Sequence, residues 1–248
     1  MVKHVMMWLL PLFITAQTGE EIAKLVDERK TPKDMIVDLT MVLTNKKGKT
    51  RSSVLHSVSK DGGKKQMIWF LSPKDDKGVA FLKIEHTGKD DEMRLWLPAF
   101  KKVRRIVSKQ KGDSFMGSDL SYEDMTNREL DEYSYKLLGQ EEIQNQDCYI
   151  LESIPKQEVK STYSRHVTWV TKKDYNIVKE ESYDRTGRLF KTKLFKQQNI
   201  KNYTVLKEIF VENVIKRHST LLIFDNIEVD TGIEDSQFQE KYLKRLPK

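Results

Sequence analysis

Short alternating runs of apolar and polar residues are the feature that most restricts how this chain can fold. Met35, Val37, Leu39, Met41 and Leu43 alternate with mostly polar neighbours, which is typical of a strand with one buried face. About eleven such runs follow one another between residues 35 and 229, separated by short turns such as 61–63. No long helical segments alternate with them, so the pattern predicts an antiparallel meander rather than a parallel α/β sheet.

The length of the meander indicates how the sheet is shaped. A long antiparallel sheet must curl or split. Three apolar segments at 19–29, 114–125 and 235–246 have helical spacing or a looping character, and none can bury its apolar face alone. We therefore expect one strongly curved, half-open β-barrel with helices over its concave face, formed by a single domain at 17–248.

The N-terminus has the pattern of a secretory signal peptide. Lys3 precedes an apolar run from Val5 to Ile14, which is too short for a bilayer span of about 20 residues. Ala16 is the predicted cleavage point, with an uncleaved anchor as the alternative. No cysteine stands at the cut, so no lipid anchor is expected, and the protein is predicted to be periplasmic. The single cysteine, Cys148, is expected to be buried.

Composition and motifs argue against several functional classes. The net charge of +7 comes from 44 basic and 37 acidic residues that are interspersed, so nucleic-acid binding is not expected. The histidines after the signal segment form no metal-binding spacing, and no G-x-S-x-G, P-loop or G-x-G-x-x-G sequence occurs. We predict a protein that is not an enzyme and that needs no cofactor or metal.

The stretch from Leu95 to Met125 combines three kinds of sequence. An alternating strand ends near Pro98, a basic run follows, and a mixed apolar and acidic segment closes it. The basic run is either a solvated sheet edge or a docking patch for anionic headgroups or an acidic partner; it comprises Lys101, Lys102, Arg104 and Arg105. In the acidic part, Ser121 and Asp124 have the spacing of a capping box, and capping or solvation is favoured there over ion binding.

The same stretch carries a family resemblance. The sequences WLPAFKKVRRI at 96–106 and SFMGSDLSYEDM at 114–125, together with YDRTGRL at 183–189 and the ending around Phe238 to Arg245, resemble the outer membrane lipoprotein-sorting protein family, a LolA-like branch of the LolA/LolB/RseB superfamily. The resemblance implies a half-open antiparallel β-barrel, a hydrophobic cavity and a periplasmic role in carrying lipids or lipoprotein acyl chains. It also implies an inner-membrane RND-type exporter as a candidate partner.

This resemblance and the apolar pattern lead to a set of candidate residues. A lid swinging on Gly112 and Gly117 is expected to cover the cargo. The alternative function is a non-enzymatic accessory or sensor module that docks on such an exporter or on another membrane partner. The predicted lipid-binding residues are Met67, Trp69, Leu71, Phe81, Leu95, Leu97, Phe115, Met116, Tyr122, Met125 and Trp169.

Overall fold

A single antiparallel sheet of thirteen strands forms the body of the protein. The computed structural model describes residues 17–247, so the predicted signal peptide lies outside the described residues. The strands are β1 (Asp34–Thr44), β2 (Thr50–Lys60), β3 (Lys65–Ser72), β4 (Ala80–Ile84), β5 (Glu92–Leu97), β6 (Lys102–Arg105), β7 (Tyr133–Ile143), β8 (Gln146–Pro155), β9 (Tyr163–Thr171), β10 (Ile177–Asp184), β11 (Leu189–Ile200), β12 (Tyr203–Asn213) and β13 (His218–Val229).

The strand order shows how the meander is assembled. It runs β6-β5-β4-β3-β2-β1-β13-β12-β11-β10-β9-β8-β7, so two meandering arms join where β1 pairs with β13. On that seam Leu39 faces Leu55 of β2 on one side and Phe224 of β13 on the other. The sheet is not closed, and β6 and β7 are its edges. The predicted mainly β, half-open architecture is confirmed, with thirteen strands rather than about eleven.

Alternation along the strands divides the sheet into two faces. Val37, Leu39 and Met41 of β1 lie on the face that we call the inner face, and Ile36 lies on the outer face. The connection from β6 to β7, residues 106–132, lies across the inner face and is called the covering segment. Its only regular structure is a set of one-turn 3₁₀ helices and a bridge between Ser114 and Ser121.

One helix, α1 (Gly19–Asp27), covers the inner face of the β7–β9 arm. Thr18 and Glu21 form a capping box that satisfies the first turn. Ile22 and Ala23 then pack on Leu151 of β8 and Val170 of β9. This confirms the helix predicted at the N-terminal end of the domain. Within residues 17–247 no helix combines the length and apolarity that a membrane span requires.

The C-terminal segment covers the outer face of β2–β5, so the expectation that it shares one face with the other two covering segments was wrong. It is also not the continuous helix that the spacing predicted. A 3₁₀ turn at Asp235–Gln237 is followed by Phe238 in a non-helical conformation and by the short α2 (Glu240–Leu243). Phe238 and Leu243 are buried, whereas Leu246 is 43% exposed. The segment therefore packs through a few anchors rather than through one helical face, and an ion pair of Glu240 with Arg94 ties it to β5.

Candidate functional site

An apolar floor occupies the inner face of β1–β5 together with β12 and β13. Cross-strand neighbours build it, for example Phe81 of β4 beside Ile68 of β3 and Leu95 of β5. Each strand contributes alternate residues, so the floor is continuous across the seam between the two arms. Its buried strand residues are Val37, Leu39, Met41, Leu55, Ile68, Phe70, Phe81, Met93, Leu95, Val211 and Leu222.

Aromatic side chains of the covering segment fill the space above this floor. Phe115 lies with its ring centroid 5.3 Å from that of Phe81 in an edge-on arrangement, and Tyr122 lies 5.7 Å from Phe81. The two covering rings are themselves perpendicular at 5.9 Å. Such pairs contribute about 0.5–1.5 kcal/mol beyond area burial. The inner apolar surface is therefore packed by the protein's own residues.

A tight turn gives the covering segment its shape. Met116 and Gly117 both have left-handed backbone conformations, with φ of 49° and 79°, and the amide of Phe115 donates to the carbonyl of Leu120 at 2.8 Å. This turn holds Phe115 and Leu120 together over the floor. Gly112 has a different role, because a Cβ there would lie 2.5 Å from Cγ2 of Thr162, so the segment presses closely on the β8–β9 turn.

Two clefts of residues 17–247 lie away from the strand residues of the floor. One of ≈ 610 Å³ lies between α1 and the start of β7 and is lined mainly by polar side chains, including Glu20, Asp27, Glu129 and Asp131. A second, of ≈ 150 Å³, lies beside Asp90 and Arg105. Neither of these two clefts is lined by a strand residue of the apolar floor.

A buried charged cluster anchors the part of the covering segment that follows Tyr122. The Asp124 carboxylate lies 2.7 Å from Nζ of Lys191 and 2.5 Å from Nζ of Lys193, both on β11. The hydroxyl of Tyr163 donates to the same carboxylate at 2.9 Å. Burial opposes ionisation of Asp124, but the positive charges of Lys193 and Lys191 outweigh it and keep the pKa of the carboxyl well below its usual value.

Glu180 on β10 extends this cluster on the strand side. It accepts two hydrogen bonds from Arg128 of the covering segment, at 2.6 and 2.8 Å, and lies 3.0 Å from Lys193. Burial alone would raise the pKa of Glu180, but Arg128 and Lys193 hold it well below its usual value. His166 lies beside Glu180, and burial, with Arg128 adding to it, lowers the pKa of the imidazole to about 3. His166 is therefore neutral near pH 7, while the acids and bases around it are charged and paired.

The acidic residues of the covering segment act as internal caps and ties. Ser121 and Asp124 exchange hydrogen bonds between side chains and backbone amides, which confirms the predicted capping box. Glu123 accepts from Ser161 and from the amide of Thr162. Asp119 accepts from Thr220 at 2.7 Å and lies 2.7 Å from His218. No group of ligands suited to a metal ion occurs among residues 17–247.

The predicted lipid-binding residues divide among three apolar clusters. Seven of them belong to the inner apolar surface or pack against it, namely Phe81, Leu95, Leu97, Phe115, Met116, Tyr122 and Met125. Met67, Trp69 and Leu71 instead lie on the outer face, packed with the C-terminal segment, and Trp169 lies in a third cluster with Cys148 and Val167. The expectation of one shared face was therefore wrong for these four residues. β3 is apolar on both faces, and its inner side presents Ile68 and Phe70, while on β9 the residue that faces inward is Val170, the neighbour of Trp169.

The floor also contains residues that the sequence reading did not single out. Leu39, Met41, Leu222 and the half-buried Phe224 belong to it, and the alternation in β1 and β13 is the signal that could have found them. The charged cluster carried no such signal. In the sequence, Lys191 and Lys193 have the alternation of a solvated strand face, and their partner Asp124 lies 67 and 69 residues away.

The four residues of the basic run lie at the β6 edge of the sheet. Lys101 has a left-handed conformation at the hairpin from β5, and Lys102, Arg104 and Arg105 follow on β6 itself. All four side chains are exposed. Within the described part of the chain none of them forms an ion pair, so their charges face solvent.

An open antiparallel sheet whose inner face is closed by the connection between its two edges defines a protein of the LolA-like fold. The chain belongs to the outer membrane lipoprotein-sorting protein family. It is 33% identical to an outer membrane lipoprotein-sorting protein domain from Vibrio parahaemolyticus, whose structure matches 92% of this chain and 98% of its own length with a TM-score of 0.86.

Other comparisons agree with this membership. A DUF1329 family protein from Desulfovibrio piger is also 33% identical, over 91% of this chain and 97% of its own, with a TM-score of 0.86. A family model described as an uncharacterized protein family matches residues 62–245. A LolA superfamily protein from Nitrosomonas europaea shares the fold at 20% identity and a TM-score of 0.73, over 92% of this chain and all of its own length. No curated protein matches the sequence.

Proposed function

We propose that this protein is a periplasmic carrier that binds lipid or lipoprotein acyl chains on its inner apolar face and moves them between membranes. The observation that carries the proposal is the apolar floor of β1–β5, β12 and β13, which is covered by Phe115, Leu120 and Tyr122 of the irregular connection between the two edge strands. The family's name, and that of the Vibrio domain, refers to the sorting of outer membrane lipoproteins. The role is binding, not catalysis.

Binding in this proposal is an exchange of one apolar cover for another. An acyl chain would take the place of Phe115, Leu120 and Tyr122, so the floor stays covered in both states. Because both covers are apolar, the free energy of exchange is the difference between two burial terms of about 25 cal/mol per Å². That difference is small compared with either term, which suits a carrier that must also release its cargo.

Docking and export complete the proposal. The exposed Lys101, Lys102, Arg104 and Arg105 are offered as the patch that meets anionic headgroups or an acidic partner, and an inner-membrane RND-type exporter is the partner that the family resemblance implies. Export rests on the predicted signal peptide, with cleavage after Ala16. N-terminal sequencing of the protein recovered from the periplasm tests this point, and an N-terminus at residue 1 would contradict it.

Lipid content after native purification tests carriage directly. The protein would be purified without detergent and its bound lipids identified by mass spectrometry. Carriage predicts acyl-chain lipids at a fixed ratio to protein. A lipid-free protein that also fails to take up a fluorescent fatty acid from solution would overturn the proposal.

Two neighbouring residues of β13 provide a matched test of the face. Phe224 lies on the inner face beside Leu39, whereas Ile223 lies on the outer face beside Thr40, and both are half-buried. We expect Phe224→Ser to weaken fatty-acid uptake at least about tenfold, because it places a hydroxyl on the floor, and Ile223→Ser to leave uptake unchanged. Leu97→Asp should behave like the Phe224 variant. Equal effects of the two serine variants would show that the inner face is not the binding surface.

A reversible disulfide tests whether the covering segment must move. A Cβ built on Gly112 lies 3.4 Å from Cβ of Thr162, close to the separation in disulfides. The Gly112→Cys/Thr162→Cys variant should therefore take up fatty acid only after reduction, and the reduced form serves as its own control. Uptake by the oxidised form at the wild-type level would show that this end of the segment need not open.

The alternative is an accessory or sensor module that binds a membrane protein without carrying lipid. Family membership is compatible with it, and the exposed basic run offers a surface for an acidic partner. Native purification separates the two functions, since the module predicts a lipid-free protein that co-purifies with an exporter at a fixed ratio.

A further inference from the structure

The turns at one end of the sheet carry a larger net positive charge than the chain as a whole. Antiparallel strands place successive hairpin turns at alternating ends. Six turns lie at the end that we call the basic end, namely 45–49, 73–79, 98–101, 156–162, 185–188 and 214–217. The opposite end has the turns 61–64, 85–91, 144–145, 172–176 and 201–202.

The two ends differ sharply in charge. The turns of the basic end hold twelve Lys and Arg against three Asp and Glu, a net of +9, whereas those of the opposite end hold five of each sign. The whole chain has a net charge of only +7, so this asymmetry is not a general property of the surface. The twelve are Lys46, Lys47, Lys49, Lys74, Lys77, Lys101, Lys156, Lys160, Arg185, Arg188, Lys216 and Arg217.

These charges are available to a partner. All twelve side chains are exposed. Arg188, which lies 3.0 Å from Asp184, is the one member that forms an ion pair within the described part of the chain. A cluster of like charges without counter-charges is electrostatically unfavourable unless solvent or an anionic surface compensates for the repulsion.

The basic end also carries the two most exposed large apolar side chains of residues 17–247. Phe100, at the tip of the 98–101 turn, is 76% exposed, and Ile215, at the tip of the 214–217 turn, is 52% exposed. Phe100 is followed directly by Lys101 and Lys102, and Ile215 by Lys216 and Arg217. The turns of the opposite end hold none of the exposed large apolar residues.

We propose that the basic end docks on an anionic lipid surface, with Phe100 and Ile215 entering the interface and the surrounding Lys and Arg contacting headgroups. Apolar tips within a field of unpaired basic side chains match the two components of such a surface, the acyl boundary and the anionic headgroups. An acidic protein surface would complement the positive charge, but it would provide no apolar environment for the side chains of Phe100 and Ile215. The proposal goes beyond carriage, because docking does not require a lipid on the inner face.

Co-sedimentation with vesicles tests the proposal. The probes are phosphatidylcholine vesicles with and without about 30% phosphatidylglycerol, a content within the range of anionic membranes. We expect binding to the anionic vesicles only, and weaker binding in 0.5 M salt because the charges are then screened within about 4 Å. All variants share one N-terminus, so any contribution of residues 1–16 stays constant. No binding to anionic vesicles, or equal binding to both kinds, would overturn the proposal.

Paired variants locate the surface. Lys47→Gln/Lys216→Gln removes two charges from the basic end, and Lys89→Gln/Lys173→Gln removes two exposed charges from the opposite end. The first pair should weaken binding about 25-fold, at about fivefold per charge, and the second should leave it unchanged. Phe100→Ser should weaken it roughly tenfold, whereas Leu138→Ser, at an exposed site on β7, should not. Equal losses from the two charge pairs would show a general charge effect and contradict the proposal.

A final measurement distinguishes membrane docking from lipid carriage. Uptake of a fluorescent fatty acid from solution, without vesicles, should be unchanged in Lys47→Gln/Lys216→Gln and in Phe100→Ser. If those variants lose uptake as well as vesicle binding, the basic end would be part of the cargo site rather than a docking surface. If the wild type binds vesicles but takes up no fatty acid, carriage fails and docking stands.

Discussion

Residues 115–122 and residues 123–128 belong to one covering segment but rest on parts of the sheet with opposite chemistry. Phe115, Leu120 and Tyr122 lie on an apolar floor, whereas Asp124 and Arg128 enter a buried network of charges on β10 and β11. Apolar contact is non-directional, so many covers fit the first region. Buried ion pairs require their partners at fixed positions, so the second region accepts one arrangement.

This difference suggests a division of work along the segment. Under the proposed function, the apolar region exchanges its cover for a ligand at little net cost, while the charged region fixes the position of the segment in its closed state. The boundary is sharp, since Val211 of the floor is the cross-strand neighbour of Lys193, and Tyr122 is two residues from Asp124. The predictions below test whether the two regions respond differently to matched changes.

The largest effect is expected from Asp124→Asn. The change keeps size and shape but removes the counter-charge of Lys191 and Lys193, and breaking a buried ion pair costs about 3–5 kcal/mol. The free energy of unfolding, measured by urea denaturation, should fall by that amount. Adding Lys191→Met should recover part of the loss. A loss below about 1 kcal/mol would mean that water reaches the cluster, and the contrast between the two regions would disappear.

Acid should weaken the charged region next. The pKa of His166 is lowered by burial to about 3 in the folded protein, from an ordinary value of 6.5. The unfolded chain therefore binds the proton first, and stability falls as pH drops from about 6.5 towards 3. At pH 5 this amounts to about 2 kcal/mol relative to pH 7. Asp124 and Glu180 act in the same direction at lower pH, because their pKa values are depressed in the fold.

Replacement of His166 provides the control for this pH dependence. In His166→Phe the decrease between pH 7 and pH 5 should be much smaller, whatever the absolute stability of the variant. A variant that loses as much stability as the wild type over this range would assign the pH dependence to other groups.

A smaller effect is expected from Phe115→Leu in the apolar region. Leucine keeps the apolar contact but removes three aromatic pairs, with Phe70, Phe81 and Tyr122, so the cost should be about 1.5 kcal/mol. Because the cover is weakened, the affinity for fatty acid should rise under the proposed function. The expected increase is the one that corresponds to the same free energy. Phe100→Leu, at an exposed tip, is the control and should change neither quantity. Weaker uptake in Phe115→Leu would indicate that Phe115 contacts the ligand rather than competing with it.

The fold was predictable because its signal is local. Alternation in runs such as Met35 to Leu43 and short turns such as 61–63 specify antiparallel strands without reference to distant residues. The faces were harder to predict. Met67 to Leu71 is apolar at every position, so periodicity cannot assign Trp69 to one face of the sheet. Only its packing against the C-terminal segment shows that Trp69 lies on the outer face.

The charged region and the tail show where sequence patterns mislead. Lys191 and Lys193 alternate in β11 as solvent-facing residues do, and only tertiary packing buries them against Asp124. Phe238, Tyr242 and Leu246 have helical spacing, yet Phe238 has φ of −86° and ψ of 58° and interrupts the helix. In both cases the deciding partner lies far away in sequence, so no local pattern could contain it.

The smallest effect is expected from Met125→Leu, at the position next to Asp124. Met125 packs against the apolar floor and is half-buried, and volume-conserving apolar exchanges usually cost less than about 1.5 kcal/mol. The two neighbouring substitutions are each nearly isosteric, so their difference reports chemistry rather than volume. Urea denaturation of both variants side by side should show a loss for Asp124→Asn that exceeds the loss for Met125→Leu by at least about 2 kcal/mol. Similar losses would mean that the charged contact of Asp124 and the apolar contact of its neighbour Met125 contribute equally to stability, and that the contrast between the two regions is wrong.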